Sequence, residues 1–295
     1  MEKCIICEST NVKTLKAVIS DFLLERIWEN KRDKHTTIIH CQNCGFSFWK
    51  LRPTEEEMEK LYAGYRNEYY QKQRQKYESW YSKEINDFNG NDEAYRVNQN
   101  HMDRVFSENA IEPSAIHSVL DYGGDTGLNI PRGLQNATKY VFDISGVRPA
   151  KGVIGIDSFD ELMQKRFDFV MCQSVLEHVT NPIHIVRNIS TLAANGIVLL
   201  EVPYDSPFVK IKRNYLQFLF DKRFTMKQLF ERALLMLKNP YRMHEHINFF
   251  TPKALEYMME KEGWEVMDVR IENMKGNLGQ GHIISAVARV PGKKG

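Results

Sequence analysis

The stretch HSVLDYGGDTGLNI, residues 117–130, decides the fold. An apolar run ends in Asp121, and Gly123, Gly124 and Gly127 follow within six residues. A strand that ends in an acid and turns through glycines brings bare backbone close to a ligand. The spacing is D-x-G-x-x-x-G. It is not the G-x-G-x-x-G turn that aims a helix N-terminus at a pyrophosphate. The turn therefore suits a ligand without phosphate, lying against backbone, with the acid orienting its amine.

Outward from this turn, short apolar runs alternate with helical patterns. Strands are expected at 117–122, 139–143, 152–156, 167–172 and 196–202, and helices at 126–135, 159–165 and 181–194. This alternation predicts an α/β, Rossmann-like parallel sheet covered on both faces. The interval from Asp143 to Gly152 is too short for a helix. Residues 251–271 read as helix then strand, and HIISAVARV (282–290) closes a seven-stranded sheet.

Asp143 ends the second strand, 20 residues after Gly123, where a carboxylate can accept from both hydroxyls of a ribose. Asp157 follows the third strand, within reach of an adenine amino group. Acids after three successive strands all face the crevice at the carboxyl edge of the sheet. Together with the glycine turn they predict S-adenosylmethionine (SAM), a sulfonium nucleoside without phosphate.

Four of the five cysteines form two C-x-x-C pairs, Cys4/Cys7 and Cys41/Cys44, separated by 33 residues. Two such knuckles close a tetrahedral zinc site, and four thiolates leave no open position, so the role expected is structural. Gly45 supplies the tight turn after the second knuckle. Cys172 sits in an apolar run and reads as core. Residues 1–52 are thus expected as a Cys4 zinc module. Residues 53–110 follow as a helical segment on the substrate side, entered through a Thr54/Glu57 capping box and rich in tyrosine. The SAM-binding core is expected over 111–206 and 246–292. A helical lid is expected over 207–245, and its basic and apolar residues leave room for contact with a membrane face or a lipid-linked substrate.

A net charge of +2 carries no general signal for nucleic acid, and no apolar run reaches 18 residues. The start, MEKCIICEST, lacks the basic and apolar regions of a secretory signal. A cytoplasmic location follows as the expectation.

The stretches FDFVMCQSVLEHVTNPIHIVRNIS (167–190) and LAANGIVLLEVP (192–203) resemble the fourth and fifth strand segments of class I SAM-dependent methyltransferases. In that resemblance Gln173 falls on the cofactor side, with Asp121, Gly123, Gly124, Gly127, Asp143 and Asp157. The Cys4 module, the tyrosine-rich segment and HEHINFF (244–250) look like the sugar C-methyltransferases. That likeness implies that His178, Glu245 and His246 bind or deprotonate a sugar, and that Tyr65 or Tyr69 is a pocket tyrosine. His246 is the expected base, Glu245 its orienter and His178 the competing base. The chain departs from that family in ending where a further C-terminal domain would begin. The acceptor expected is a nucleotide-linked sugar, a surface-glycan intermediate or a related small metabolite.

Two rival functions are an RNA methyltransferase that grips RNA through a zinc ribbon and a catalytically silent SAM-binding protein. Residues 1–52 carry nine Lys+Arg against six Asp+Glu, too modest an excess to favour nucleic acid.

Overall fold

The computed structural model describes residues 2–65, 67–78, 81–83, 92–206, 241–276 and 279–292. Most of the expected lid, 207–240, lies outside them. No helix among the described residues is long and apolar enough to cross a membrane.

The N-terminal half builds on a small sheet of β1 (Val12–Ile19), β2 (His35–Cys41) and β3 (Ser47–Trp49), all antiparallel. Helix α1 (Asp21–Trp28) crosses between β1 and β2. It starts at Ser20, whose hydroxyl accepts from the Leu23 amide and satisfies one of the first-turn donors. Helix α2 (Glu55–Tyr62) begins with the expected capping box, Thr54 and Glu57 each closing on the other's backbone. Helix α3 (Glu68–Gln75) is capped by Asn67, and α4 (Asp92–Glu108) leads to the second sheet.

The second sheet has seven strands. These are β4 (Ser118–Tyr122), β5 (Thr138–Phe142), β6 (Ile154–Gly155), β7 (Phe169–Gln173), β8 (Ile197–Pro203), β11 (Glu265–Gly276) and β12 (Gly279–Arg289). Their order is β11-β12-β8-β7-β4-β5-β6. The first five strands in sequence run parallel, and β12 is antiparallel to both β8 and β11. The sheet is therefore mixed at one edge rather than wholly parallel. Helices α5 (Phe159–Met163), α6 (Pro182–Leu192) and α7 (Pro252–Lys261) complete the framework. Pro182 and Pro252 each open a helix behind a capping side chain, Asn181 and Thr251. Buried Val170, Leu200, Ile189, Leu255 and Met258 pack into one core, which also takes in Ile6, Phe46 and Phe48 from the N-terminal half. Met102, Val105 and Phe106 of α4 cover the other face with Phe169 and Leu199.

Residues 126–135 do not form the expected helix. Asp125 and Gly127 take positive φ (56° and 75°), and Pro131 follows. The segment becomes separate tight turns, with Gly127, Ile130 and Leu134 each bonding three residues back. Gln99 of α4, fully buried, holds these turns from below. Its amide group donates to the Asn129 and Ile130 carbonyls and its oxygen accepts from the Arg132 amide. The interval 143–153 carries no helix, as its length required.

The first sheet is completed from far along the chain. The two-residue strand β9 (Arg242–Met243) pairs with β1 on one edge, and β10 (Asn248–Phe249) with β3 on the other. Residues 244–247 must cross from one edge of that sheet to the other. The unit expected over residues 1–52 therefore shares its sheet with the HEH segment.

Candidate active site

A cavity of about 910 Å³ runs along the carboxyl edge of β4, β5, β7 and β8. At one end lies the glycine turn. Gly123 takes φ 74°, and its amide donates to the Phe142 carbonyl, tying the turn to β5. A Cβ on Gly124 would sit 1.9 Å from Asp121 Cγ, so only glycine lets the acid keep its place. Asp121 is buried, and its Oδ2 has no hydrogen-bond partner. Burial, and then the charges of Asp143 and Asp125, push it up to about 7. An acid left so costly beside bare backbone suits a ligand that brings a positive charge.

Asp143 accepts the amides of Asp125 and Ser145 at 2.8 and 2.7 Å, which fixes its carboxylate at the rim. Below, Glu201 of β8 lies against Nε2 of the buried His101 at 2.5 Å and accepts the amide group of Gln173. The donor is the Gln173 NH₂ group, which leaves its carbonyl oxygen on the other side of the amide. That oxygen has no hydrogen-bond partner.

Two imidazoles meet at the other end, with ring centres 4.8 Å apart. His178 Nδ1 lies 2.6 Å from the Tyr62 hydroxyl and 3.3 Å from the Glu245 carbonyl oxygen. Burial, and then the His246 charge, lower it to about 4, so it is neutral. His246 Nδ1 lies 2.9 Å from Asp205. Burial would lower His246, but Asp205 first, with Glu177 and Glu245, outweighs it and holds the ring at about 9. Glu177 is 1% exposed, and neither of its carboxylate oxygens has a hydrogen-bond partner. Burial pushes it up to about 7.

Glu245 is engaged elsewhere. Both of its oxygens accept from the Arg74 guanidinium, at 2.8 and 3.0 Å, in a two-pronged pair that ties α3 to the HEH segment. Arg74 also donates to Glu78, which in turn holds His244 Nδ1 at 2.8 Å. The carboxylate that orients His246 is Asp205, not its neighbour in sequence.

The cavity thus gathers Tyr65, Asp121, Gly123, Gly124, Asp143, Gln173, His178, Glu245 and His246. Three expected members stand apart. Gly127 does not line it and serves the turn, where a Cβ would press Val153 at 2.8 Å. Asp157 is exposed beyond the two-residue β6, and the Tyr69 side chain is 66% exposed. Sequence reading passed over Glu177, though it sits inside LEH, and Asp205, an acid just past the fifth strand. Tyr62 belongs to the tyrosine cluster of the helical segment, from which the resemblance picked out only Tyr65 and Tyr69, and Arg74 carried no signal in its polar helix.

A model of the methyltransferase domain matches residues 62–269. The chain belongs to this methyltransferase family. It is an enzyme, a SAM-dependent methyltransferase. Some solved structures are similar to the methyltransferase at low identity. One is a putative methyltransferase from Bacillus halodurans C-125, at 14% identity and a TM-score of 0.41, covering 64% of this chain and 98% of that one. Another is the magnesium protoporphyrin IX methyltransferase of Synechocystis PCC 6803 with bound SAH, at 16% and 0.40, covering 65% and 84%. A third is the 1,6-didemethyltoxoflavin-N1-methyltransferase of Burkholderia thailandensis, at 12% and 0.47, covering 85% and 98%. No curated protein matches the methyltransferase significantly.

A second cluster lies at the end of the first sheet and does not line the cavity. Cys4, Cys7, Cys41 and Cys44 bring their sulfurs within 4.8 Å of one another, with Cys4–Cys44 at 3.7 Å and Cys7–Cys41 at 3.5 Å. Four sulfurs about 2.3 Å from a common centre stand roughly 3.8 Å apart, so the set fits a tetrahedral ion. The hydrogen bond from Cys44, with the Cys7 and Ile6 amides, outweighs burial and holds Cys4 down at about 5. The knuckle docks on α7, where the Thr251 hydroxyl donates to the Cys44 carbonyl and Lys253 to the Asn43 carbonyl.

Proposed function

We propose that this enzyme methylates a carbohydrate, either a nucleotide-linked sugar or a surface-glycan intermediate, and that His246, backed by Asp205, promotes loss of the acceptor's proton. The observation that carries this reading is the paired buried imidazoles at the end of the cavity opposite the glycine turn. When bound, SAM supplies a methyl group on a sulfonium. Asp121, whose Oδ2 has no hydrogen-bond partner, would meet its ammonium, and Gly123 and Gly124 would give it bare backbone to lie against. Asp143 would take the ribose hydroxyls, and Gln173 lines the same cavity. Tyr62 fixes the His178 ring, while Tyr65 offers a hydroxyl and an apolar face to the acceptor. The resemblance to sugar C-methyltransferases supports the acceptor class. Zinc in the Cys4 set is the structural ion that this donor chemistry favours.

Substituting His246→Ala should lower turnover by a factor of about 10² or more while leaving SAM affinity within threefold. Turnover at the wild-type rate would remove His246 from the chemistry. The acceptor is sought by incubating labelled SAM with nucleotide-linked sugars and glycan intermediates and locating the new methyl by NMR. Label entering RNA and no sugar would overturn the reading.

The cofactor's affinity should also depend on pH. The ammonium is attracted to Asp121 only when the carboxyl is ionised, so SAM affinity should rise as pH increases through about 7 and level off above it. The same raised pKa has the opposite effect on the ligand-free protein. Its folded state holds this proton more tightly than the unfolded chain, so the stability is present at low pH and is lost as pH climbs from about 4 to about 7. Asp121→Asn should therefore raise Tm at pH 8 and abolish the pH dependence of SAM affinity. Calorimetry across pH 5.5–8.5 checks both, and a flat wild-type profile would contradict this assignment.

A further inference from the structure

We infer that Glu177, His178 and His246 together form a binding site for a divalent metal ion at the acceptor end of the cavity. One ligand atom from each lies within 4.8 Å of the others, and His178 Nε2 is 3.7 Å from a Glu177 oxygen. The carboxylate is the second, independent sign. Glu177 is almost wholly buried, lines the cavity, and has neither oxygen hydrogen-bonded. A buried carboxylate in that state lacks the partners that its burial demands, and a cation supplies them.

The histidines are arranged as metal ligands usually are. Each has its Nδ1 held from behind, His178 by Tyr62 and the Glu245 carbonyl, His246 by Asp205. Such a hold fixes the ring's orientation and directs Nε2 at an ion, with His246 giving up its Nε2 proton to solvent as the ion binds. No hydrogen bond engages either Nε2 among the described residues. Two imidazoles and one carboxylate suit a first-row transition ion such as Mn²⁺, Fe²⁺, Co²⁺ or Zn²⁺, and leave positions open for a ligand. The open positions would face the cavity, so the acceptor could place a hydroxyl or carbonyl oxygen there.

The inference deepens the reading above and rests on it for its purpose. His246 would act on the acceptor through the ion, which polarises the bound oxygen. The acceptor's proton then passes to water, and no oxidant or reductant is involved. The Cys4 set is separate, and its sulfur ligands distinguish it chemically.

The test uses full-length protein with the Cys4 set filled by Zn²⁺ and then titrated with Co²⁺. Wild type should take up one further equivalent, with weak visible bands of a nitrogen and oxygen site and none of the intense sulfur charge-transfer absorption. Glu177→Gln and His246→Gln should bind Co²⁺ on the order of 100-fold more weakly. Asp157→Asn, an exposed acid outside the cavity, should bind it as wild type does. No uptake by wild type, or equal uptake by Glu177→Gln, would overturn the site. SAM binding is measured on the same samples. If Co²⁺ binds but SAM does not, the cofactor reading fails and the metal site stands. If SAM binds and Co²⁺ does not, the metal site alone is lost.

Discussion

Replacing Gly124 by alanine, and more completely by valine, should reduce SAM binding by more than 100-fold. The new Cβ would sit 1.9 Å from Asp121 Cγ and 2.1 and 2.4 Å from its oxygens. No Cβ tolerates such distances, so either the turn or the acid must move. Asp121 lies in β4, paired with Val141 and Met171 on its two sides, and is buried. Its side chain has little room to turn away, and overpacking of this kind costs about 1–3 kcal/mol. The penalty falls on the group proposed to meet the ammonium, so affinity should suffer more than stability. Because the two residues collide directly, their substitutions should not be additive. In an Asp121→Ala background, Gly124→Ala should cost much less stability, since the clashing carboxylate is gone. SAM binding should stay lost in the double variant. Calorimetry and thermal unfolding on the four proteins test this. Additive stability losses would show that the turn is glycine for another reason, and wild-type affinity in Gly124→Ala would remove the turn from the cofactor site.

The sheet was readable because its strands are buried apolar runs that end in polar punctuation. Val119-Leu120-Asp121 and Val170-Met171-Cys172-Gln173 each announce both a strand and its carboxyl edge. Where one strand's end is a site, its neighbours' ends are too, and this brought Asp143 into view. The reading failed where geometry depends on non-local partners. Residues 126–135 look helical by composition, but the turn leaves Gly127 at positive φ, and the buried Gln99, about 30 positions earlier, satisfies the backbone instead. Asp157 follows a third strand of only two residues, too short to carry it to the crevice.

The HEH segment teaches the same lesson in reverse. Its chemistry was visible, but the division of labour within it was not. Adjacent residues in an extended segment point to opposite sides, so Glu245 and His246 need not meet. Glu245 turns to Arg74, and His246 turns to Asp205. The two-residue strands β9 and β10 that fix the segment carry no periodicity to read. Their positions follow from the first sheet, whose edges they complete.

That dependence makes removal of the zinc proposed for the Cys4 set the other large effect. The knuckles clamp the start of the chain to the β2–β3 turn, and β1 and β3 hold β9 and β10 on their outer edges. A structural zinc ion contributes on the order of 10 kcal/mol of apparent binding free energy at neutral pH, comparable to the whole stability of many domains. A strong chelator, or Cys44→Ser, should therefore loosen β1–β3 and release both anchors of residues 244–247. The SAM end of the cavity is built on the other sheet and should persist. The expected result is a protein that still binds SAM within about tenfold of wild type yet has lost methyl transfer. Amide exchange should quicken in residues 12–49 and 242–249 while β4 and β8 remain protected. Restored zinc should recover the chelated wild type and not Cys44→Ser. Unchanged exchange in 242–249 after the metal is gone would separate the cysteine cluster from the active site.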